Sequence, residues 1–145
     1  MKPARPGELD APPSLEAAQV IAPYFVQLVP YAENTGDVSE LEALSHPDCV
    51  FCKDVLDGVR QNSAINVHVE GGGLGVSEVT GLALDPRSWF TVNFELHEQP
   101  AKHVNEFETV VKDFPAGGTY DVEVIVLYED GRWIVRELSH QRTDS

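Results

Sequence analysis

The sequence predicts an α+β domain: N-terminal helices packed on a strongly curved, mainly antiparallel sheet of five to six strands, cone-like in outline. Three observations lead there. Up to about residue 64, apolar residues recur every three or four positions; beyond it they alternate with polar ones. A run of helices followed by a run of strands makes a layered α+β fold rather than alternating βαβ units. The 145 residues, 42% of them hydrophobic, are one domain's worth of chain with enough apolar surface for a core.

Residues 1–13, MKPARPGELDAPP, hold four prolines and one glycine and read as an extended linker or tether. The folded domain is expected over 14–140, with 141–145 a short C-terminal tail. A linker at the start suggests an upstream attachment, such as a removed signal peptide or lipid anchor; a frayed terminus is the plain alternative. No basic stretch leads into a signal core. No apolar run reaches the roughly 18 residues that span a bilayer. The nearest, Ala17 to Ala32, is interrupted by Gln19, Pro23, Gln27 and Pro30.

Ser14 is a good N-cap for the first helix. Leu15, Ala18, Ala22, Phe25, Val29 and Ala32 mark one face of it, and Val20, Ile21, Val26 and Leu28 extend the apolar surface around it. Pro23 and Pro30 each remove a helical hydrogen bond, at about 3 kcal/mol in a regular interior, so a kinked or interrupted helix is expected. Gly36 suits its C-terminus, and Asp37 precedes a short pattern with Leu41 and Leu44. His46-Pro47-Asp48 is a break. Asp48 is then expected to cap a third helix over 49–62, with Cys52, Val55, Leu56 and Val59 on one face.

Val67 and Val69 begin the period of two, and Gly71-Gly72-Gly73 is a turn. It is not a phosphate loop, since no Lys-Ser/Thr and no helix follow. Strands are expected near 76–84, 88–97, 106–113, 119–128 and 132–138. In the second of these, Phe90, Val92, Phe94 and Leu96 share a face. In the fourth, Tyr120, Val122, Val124, Val126 and Tyr128 do. Asp130-Gly131 joins the last two strands as a hairpin. Such a sheet leaves a cavity between its concave face and the helices.

Cys49 and Cys52 are the only cysteines. Their spacing allows a structural disulfide in a helical first turn, a redox pair, or a metal site completed by His46. Redox chemistry of the thioredoxin type wants the motif after a buried strand, and zinc wants four ligands; neither context is present. The disulfide is therefore favoured, and it argues for an oxidising, extracytoplasmic location.

Ten Lys and Arg against 24 Asp and Glu leave a net charge of −14. Nucleic acid and anionic membrane surfaces need clustered cations and are excluded as partners. The acidic surface itself reads as solvation. Tyr24, Tyr31, Asp54, Tyr120, Asp121 and Glu123 are the pieces from which an isomerase site with a carboxylate base and an oxyanion hole could be assembled. Each has a plainer role: the two helical tyrosines as packing, Asp121 and Glu123 as a solvated strand face. His97 and His103 flank a turn over 98–102 and could meet across a hairpin, but exposed turn histidines are the default. No catalytic residue, metal ligand or cofactor site is assigned.

Helices followed by a meander ending in Asp130-Gly131-Arg132-Trp133-Ile134-Val135 resemble the ketosteroid-isomerase and nuclear-transport-factor type of α+β cone. The first half, with Thr35-Gly36-Asp37, Leu41, Ala43-Leu44-Ser45 and Pro47-Asp48-Cys49-Xaa-Xaa-Cys52, resembles an uncharacterised family of actinobacterial lipoproteins over about residues 14–62. Pro23 and Pro30 depart from that family's pattern. In it, a lipidated cysteine and a Pro-rich or Thr-rich tether precede this domain. The resemblance implies a surface location, membrane-anchored in the full-length precursor, and no particular activity. The function expected is therefore a noncatalytic extracytoplasmic domain binding a small ligand or a protein partner through the cone cavity or sheet face. A small-molecule isomerase or cyclase using the cavity is the alternative. A homodimer through the sheet, with Trp89 or Trp133 at the contact, is a further expectation.

Overall fold

Ser14 opens the first helix: its hydroxyl accepts the Ala17 amide hydrogen at 3.0 Å. In the computed structural model, which describes residues 2–143, α1 runs without a break over Leu15–Thr35. Of the kink or interruption expected at Pro23 and Pro30, the interruption does not occur. Each ring still removes one hydrogen bond. Against that, Ala18, Ile21, Ala22 and Phe25 are wholly buried and Leu28 nearly so. Burial of that stripe outweighs the two missing bonds. Gly36 ends the helix at φ 81°, its N–H donating to the Ala32 carbonyl.

A short α2 follows over Ser39–Leu44, then α3 over Val50–Ala64. Asp48 is not the cap of α3. Cys49 occupies that position, its sulfur accepting from the Cys52 N–H at 3.1 Å. Cys49 and Cys52 are joined in a disulfide with Cα atoms 5.2 Å apart, both residues 1% exposed.

Among the described residues seven strands follow: β1 His68–Gly71, β2 Leu74–Asp85, β3 Trp89–Glu98, β4 Ala101–Val104, β5 Val110–Phe114, β6 Gly118–Glu129 and β7 Arg132–Arg142. All pair antiparallel, in a four-stranded sheet of order β2-β3-β6-β7 and a three-stranded sheet of order β1-β4-β5. The antiparallel wall is the expected one, but it is divided in two. Ala101 and Lys102, read as the end of a turn, belong with His103 and Val104 to a strand pairing with both β1 and β5. The β6–β7 turn has Asp130 at φ 53° and Gly131 at φ 76°, the two left-handed residues of a tight hairpin.

The core lies between α1 and the inner face of the larger sheet. Phe90, Val92, Phe94, Val122, Val124 and Val126 face it in the expected alternation, and Trp133 and Leu138 join from β7. The N-terminal segment is laid against the body rather than free. Gly7–Asp10 form a 3-10 turn, Leu9 packs on the core, and the Trp133 indole N–H donates to the Ala11 carbonyl at 3.3 Å. The last strand continues to Arg142; residues 144 and 145 of the expected tail lie outside the described residues.

Candidate functional site

Strand register decides which side chains meet at one end of the larger sheet. Leu74 stands opposite Glu98, Leu96 opposite Tyr120, and Val122 opposite His140. These residues continue the inward rows of β2, β3, β6 and β7. Toward this end the rows change from apolar to polar: Phe90, Val92, Phe94 and Leu96 end in Glu98, and Leu138 is followed by His140. Val26, Val29 and Glu33 face them from α1, at spacings of three and four, and Phe51 and Val55 from α3. Together they line an open cavity of about 230 Å³. A second hollow of about 440 Å³ shares Glu33, Phe51, Val55 and His140 and is completed by Asp54, Val59, Asn62 and His103.

Glu33 is partly buried in this setting. Burial, and after it the negative charge of Glu98, push its carboxyl up to about 7. It therefore titrates near neutrality. The His140 ring stands edge-on between two aromatic rings, 5.6 Å from Tyr120 and 6.1 Å from Phe51. His103 packs on Phe114 at 5.3 Å. Burial, with the charge of Lys112 adding to it, holds its imidazole below the ordinary value. The Arg142 guanidinium lies over the Tyr120 ring at 5.8 Å and donates to the Gly117 carbonyl at 2.7 Å.

Of the residues singled out from sequence, Tyr120 lines the cavity and Asp54 its outer hollow. Tyr24 and Tyr31 do not. Tyr24 donates to Glu40 at 2.6 Å and Tyr31 to Asp37 at 3.2 Å. Asp121 and Glu123 are exposed on the outer sheet face. His97 belongs to the larger sheet, beside Glu95 at 2.9 Å, and His103 to the smaller, so the hairpin pair is not assembled. Among the described residues no three His, Cys, Asp or Glu side chains converge on a metal position. Trp133 is buried, whereas Trp89 is 47% exposed.

Glu33 was not among the sequence candidates, yet it carries a signal. From Ala17 to Thr35 it is the only charged residue of α1, and it sits four and seven positions after Val29 and Val26. A lone carboxylate on an apolar stripe is the mark of a cavity lining.

The architecture is similar to that of the intermembrane space region of the chloroplast protein ARC6, with a TM-score of 0.66 and 13% identity over 90% of this chain and 98% of that one. It is also similar to an uncharacterised protein with a cystatin-like fold from Caulobacter vibrioides, with a TM-score of 0.53 and 12% identity over 88% and 89% of the two chains. A protein of unknown function with a cystatin-like fold from Nostoc punctiforme gives 0.54 and 13% over 92% and 96%. These likenesses are of fold, and they establish the cystatin-like, nuclear-transport-factor-like α+β class. No curated protein matches the chain. Residues 2–139 match a described family, and with that match covering nearly the whole chain, the protein belongs to the family of unknown function DUF6318.

Proposed function

We propose that this protein is a noncatalytic, extracytoplasmic ligand-binding domain whose small-molecule site is the cavity between α1, α3 and the inner face of the larger sheet. One observation carries the reading. The end of the core that a filled α+β domain would close with apolar side chains is here an open, largely apolar pocket with two carboxyls, a phenol and an imidazole in its lining. Binding pockets have that composition: apolar walls for affinity and a few polar groups for orientation. Two features support the location. The Cys49–Cys52 bridge persists in oxidising compartments. The first half of the chain resembles surface lipoproteins that present such a domain on a tether, and residues 1–13 have the matching composition.

The test is saturation-transfer NMR with a set of small apolar fragments on the protein and on Val29→Phe, which narrows the pocket from α1. Fragments bind the native chain and lose binding in the variant. Equal binding to both, or to neither, rejects the cavity as the site. For the location, protein purified from an oxidising compartment without reductant should show no titratable thiol after denaturation. Two free thiols would contradict it.

A second reading has its own observation. Glu33, poised near 7 in a cavity shared with Tyr120, has the pKa wanted of a general base beside a phenolic donor. This is an isomerase or cyclase reading. Deuterium exchange into the α-carbon of a bound small ketone, abolished by Glu33→Gln, would favour it over simple binding.

A further inference from the structure

Which small molecule the pocket selects is decided by its charges. Glu33 enters from α1 and Glu98 from the end of β3, and Asp54 adds a third carboxyl at the outer hollow from α3. Among the described residues, no lysine or arginine lines either compartment. The remaining titratable groups facing Glu33 are Tyr120 on β6, His140 on β7 and His103 on β4. Arg142 lies over the Tyr120 ring and donates to the Gly117 carbonyl, and the charge of Lys112 bears on His103 at the outer hollow.

Resting on the ligand-binding reading above, we infer that the pocket takes a small organic ammonium ion with an apolar body. The nitrogen lies by Glu33 and Glu98, and the apolar part lies against Val26, Val29, Leu96 and Val122. Each alternative fails on one feature. An organic anion would face two carboxyls with no cation in the lining. A bare metal ion would meet mostly apolar walls and too few convergent oxygen ligands. A neutral ligand would leave the partly buried Glu33 carboxylate without a counter-charge and gain nothing from the exposed charge of Glu98. An ammonium ion satisfies both, and the Phe51 ring in the lining offers it π surface. The net charge of −14 favours the approach of a cation from any side.

Ionised Glu33 holds the ammonium, and protonated Glu33 cannot, so ammonium affinity rises as pH passes through the Glu33 titration. Binding from the protonated state releases that proton to solvent. His103, whose imidazole burial holds below the ordinary value, adds positive charge beside the outer hollow once protonated and acts in the same direction.

The experiment is calorimetric titration of the full chain with three probes of equal length: hexylammonium, 1-hexanol and hexanoate. At about pH 8, hexylammonium should bind about tenfold more tightly than hexanol, and hexanoate should not bind. At about pH 5.5 the ammonium advantage should shrink. Glu33→Gln should remove most of it while hexanol still binds. Glu98→Gln, tested alongside in case the first variant fails to fold, should reduce it several-fold. Hexanol binding as tightly as hexylammonium at both pH values overturns the ammonium assignment while leaving the pocket reading intact. So does measurable hexanoate binding. If none of the three probes binds, the pocket reading falls and the assignment falls with it.

Discussion

The Glu137 carboxylate reaches from the last strand to the first turn of α3, its Oε2 accepting the Val50 amide hydrogen at 2.9 Å. Its other oxygen accepts from Phe51 and from its own neighbour Leu138, each at 3.1 Å. The amides at a helix N-terminus have no partners within the helix and carry partial positive charge, so a carboxylate there supplies both acceptor and counter-charge. Burial tends to raise the Glu137 carboxyl, but the bonds from Val50, Phe51 and Leu138 together hold it below the ordinary value. A carboxyl lowered by folding stabilises the fold above its unfolded value and loses that contribution as pH falls through the folded one. Glu137→Ala should therefore cost about 1–2 kcal/mol at neutral pH, a Tm loss of several degrees. Denaturation in urea at about pH 7 and about pH 3 checks it: the gap between variant and native protein should narrow in acid.

The disulfide closes the same turn that Glu137 caps. A loop of four residues is worth about 2 kcal/mol in the chain-entropy model. Replacing Cys49 and Cys52 together by serine should lower Tm by several degrees and leave the far-UV circular dichroism unchanged, because Leu56 and Val59 still anchor α3. Loss of helical signal on reduction would mean that the bridge, rather than packing, keeps α3 folded.

The helix-to-strand change near residue 64, the inward row from Phe90 to Leu96 and the Asp130-Gly131 turn were all legible in the sequence, since each is a local pattern. The Glu137 cap was not. Its partners lie 86 and 87 positions away, and no periodicity encodes a contact across that distance. Ala101–Val104 was hidden for another reason. Four residues after Pro100 show too little alternation to stand out, and the strand exists because β1 and β5 flank it on both sides. For the candidate site, Tyr120 was visible as a member of an inward row. Glu33 was visible only as an odd charge on α1, and its meaning depends on the register that brings Glu98 and His140 to the same end.

Pro23 and Pro30 offer a test of how burial sustains an imperfect helix. Pro23 is the more exposed of the two. Pro23→Ala should restore an amide donor for the Gln19 carbonyl and ease the ring's crowding, raising stability by roughly 1–3 kcal/mol. Pro30→Ala should gain less, because Pro30 is buried and its ring leaves a gap. Equal gains from both would mean that helix propensity alone governs the two sites.

Gly117 marks a backbone contact that no side chain can enter. A Cβ there would stand within 1.9 Å of the Glu98 carbonyl oxygen, at the point where β6 begins beside the end of β3. Gly117→Ala must push the two strands apart at the mouth of the cavity. A loss of about 2 kcal/mol or more is expected from such backbone displacement, measured as a shift in the urea midpoint. The same variant should disturb the NMR resonances of Glu98 and Tyr120, cavity residues on the two displaced strands. An unchanged midpoint would show that this end of the sheet yields freely.

The Glu33 titration gives the fold a pH dependence opposite to that of Glu137. Its carboxyl rises from an ordinary 4.5 to about 7 on folding, so the folded state binds a proton that the unfolded chain has already lost between those values. Stability attributable to this group is greatest below 4.5, falls as pH climbs toward 7, and is level beyond it. The difference is at most about 3 kcal/mol. Glu33→Gln has no proton to lose and should abolish that decline, leaving the variant more stable than the native protein at about pH 8 and little changed at about pH 4. Urea denaturation of both proteins across that range measures the crossing. A carboxyl resonance of Glu33 that titrates near 4.5 in the native chain would show that water reaches the group freely, and the cavity end of α1 would then be open to solvent.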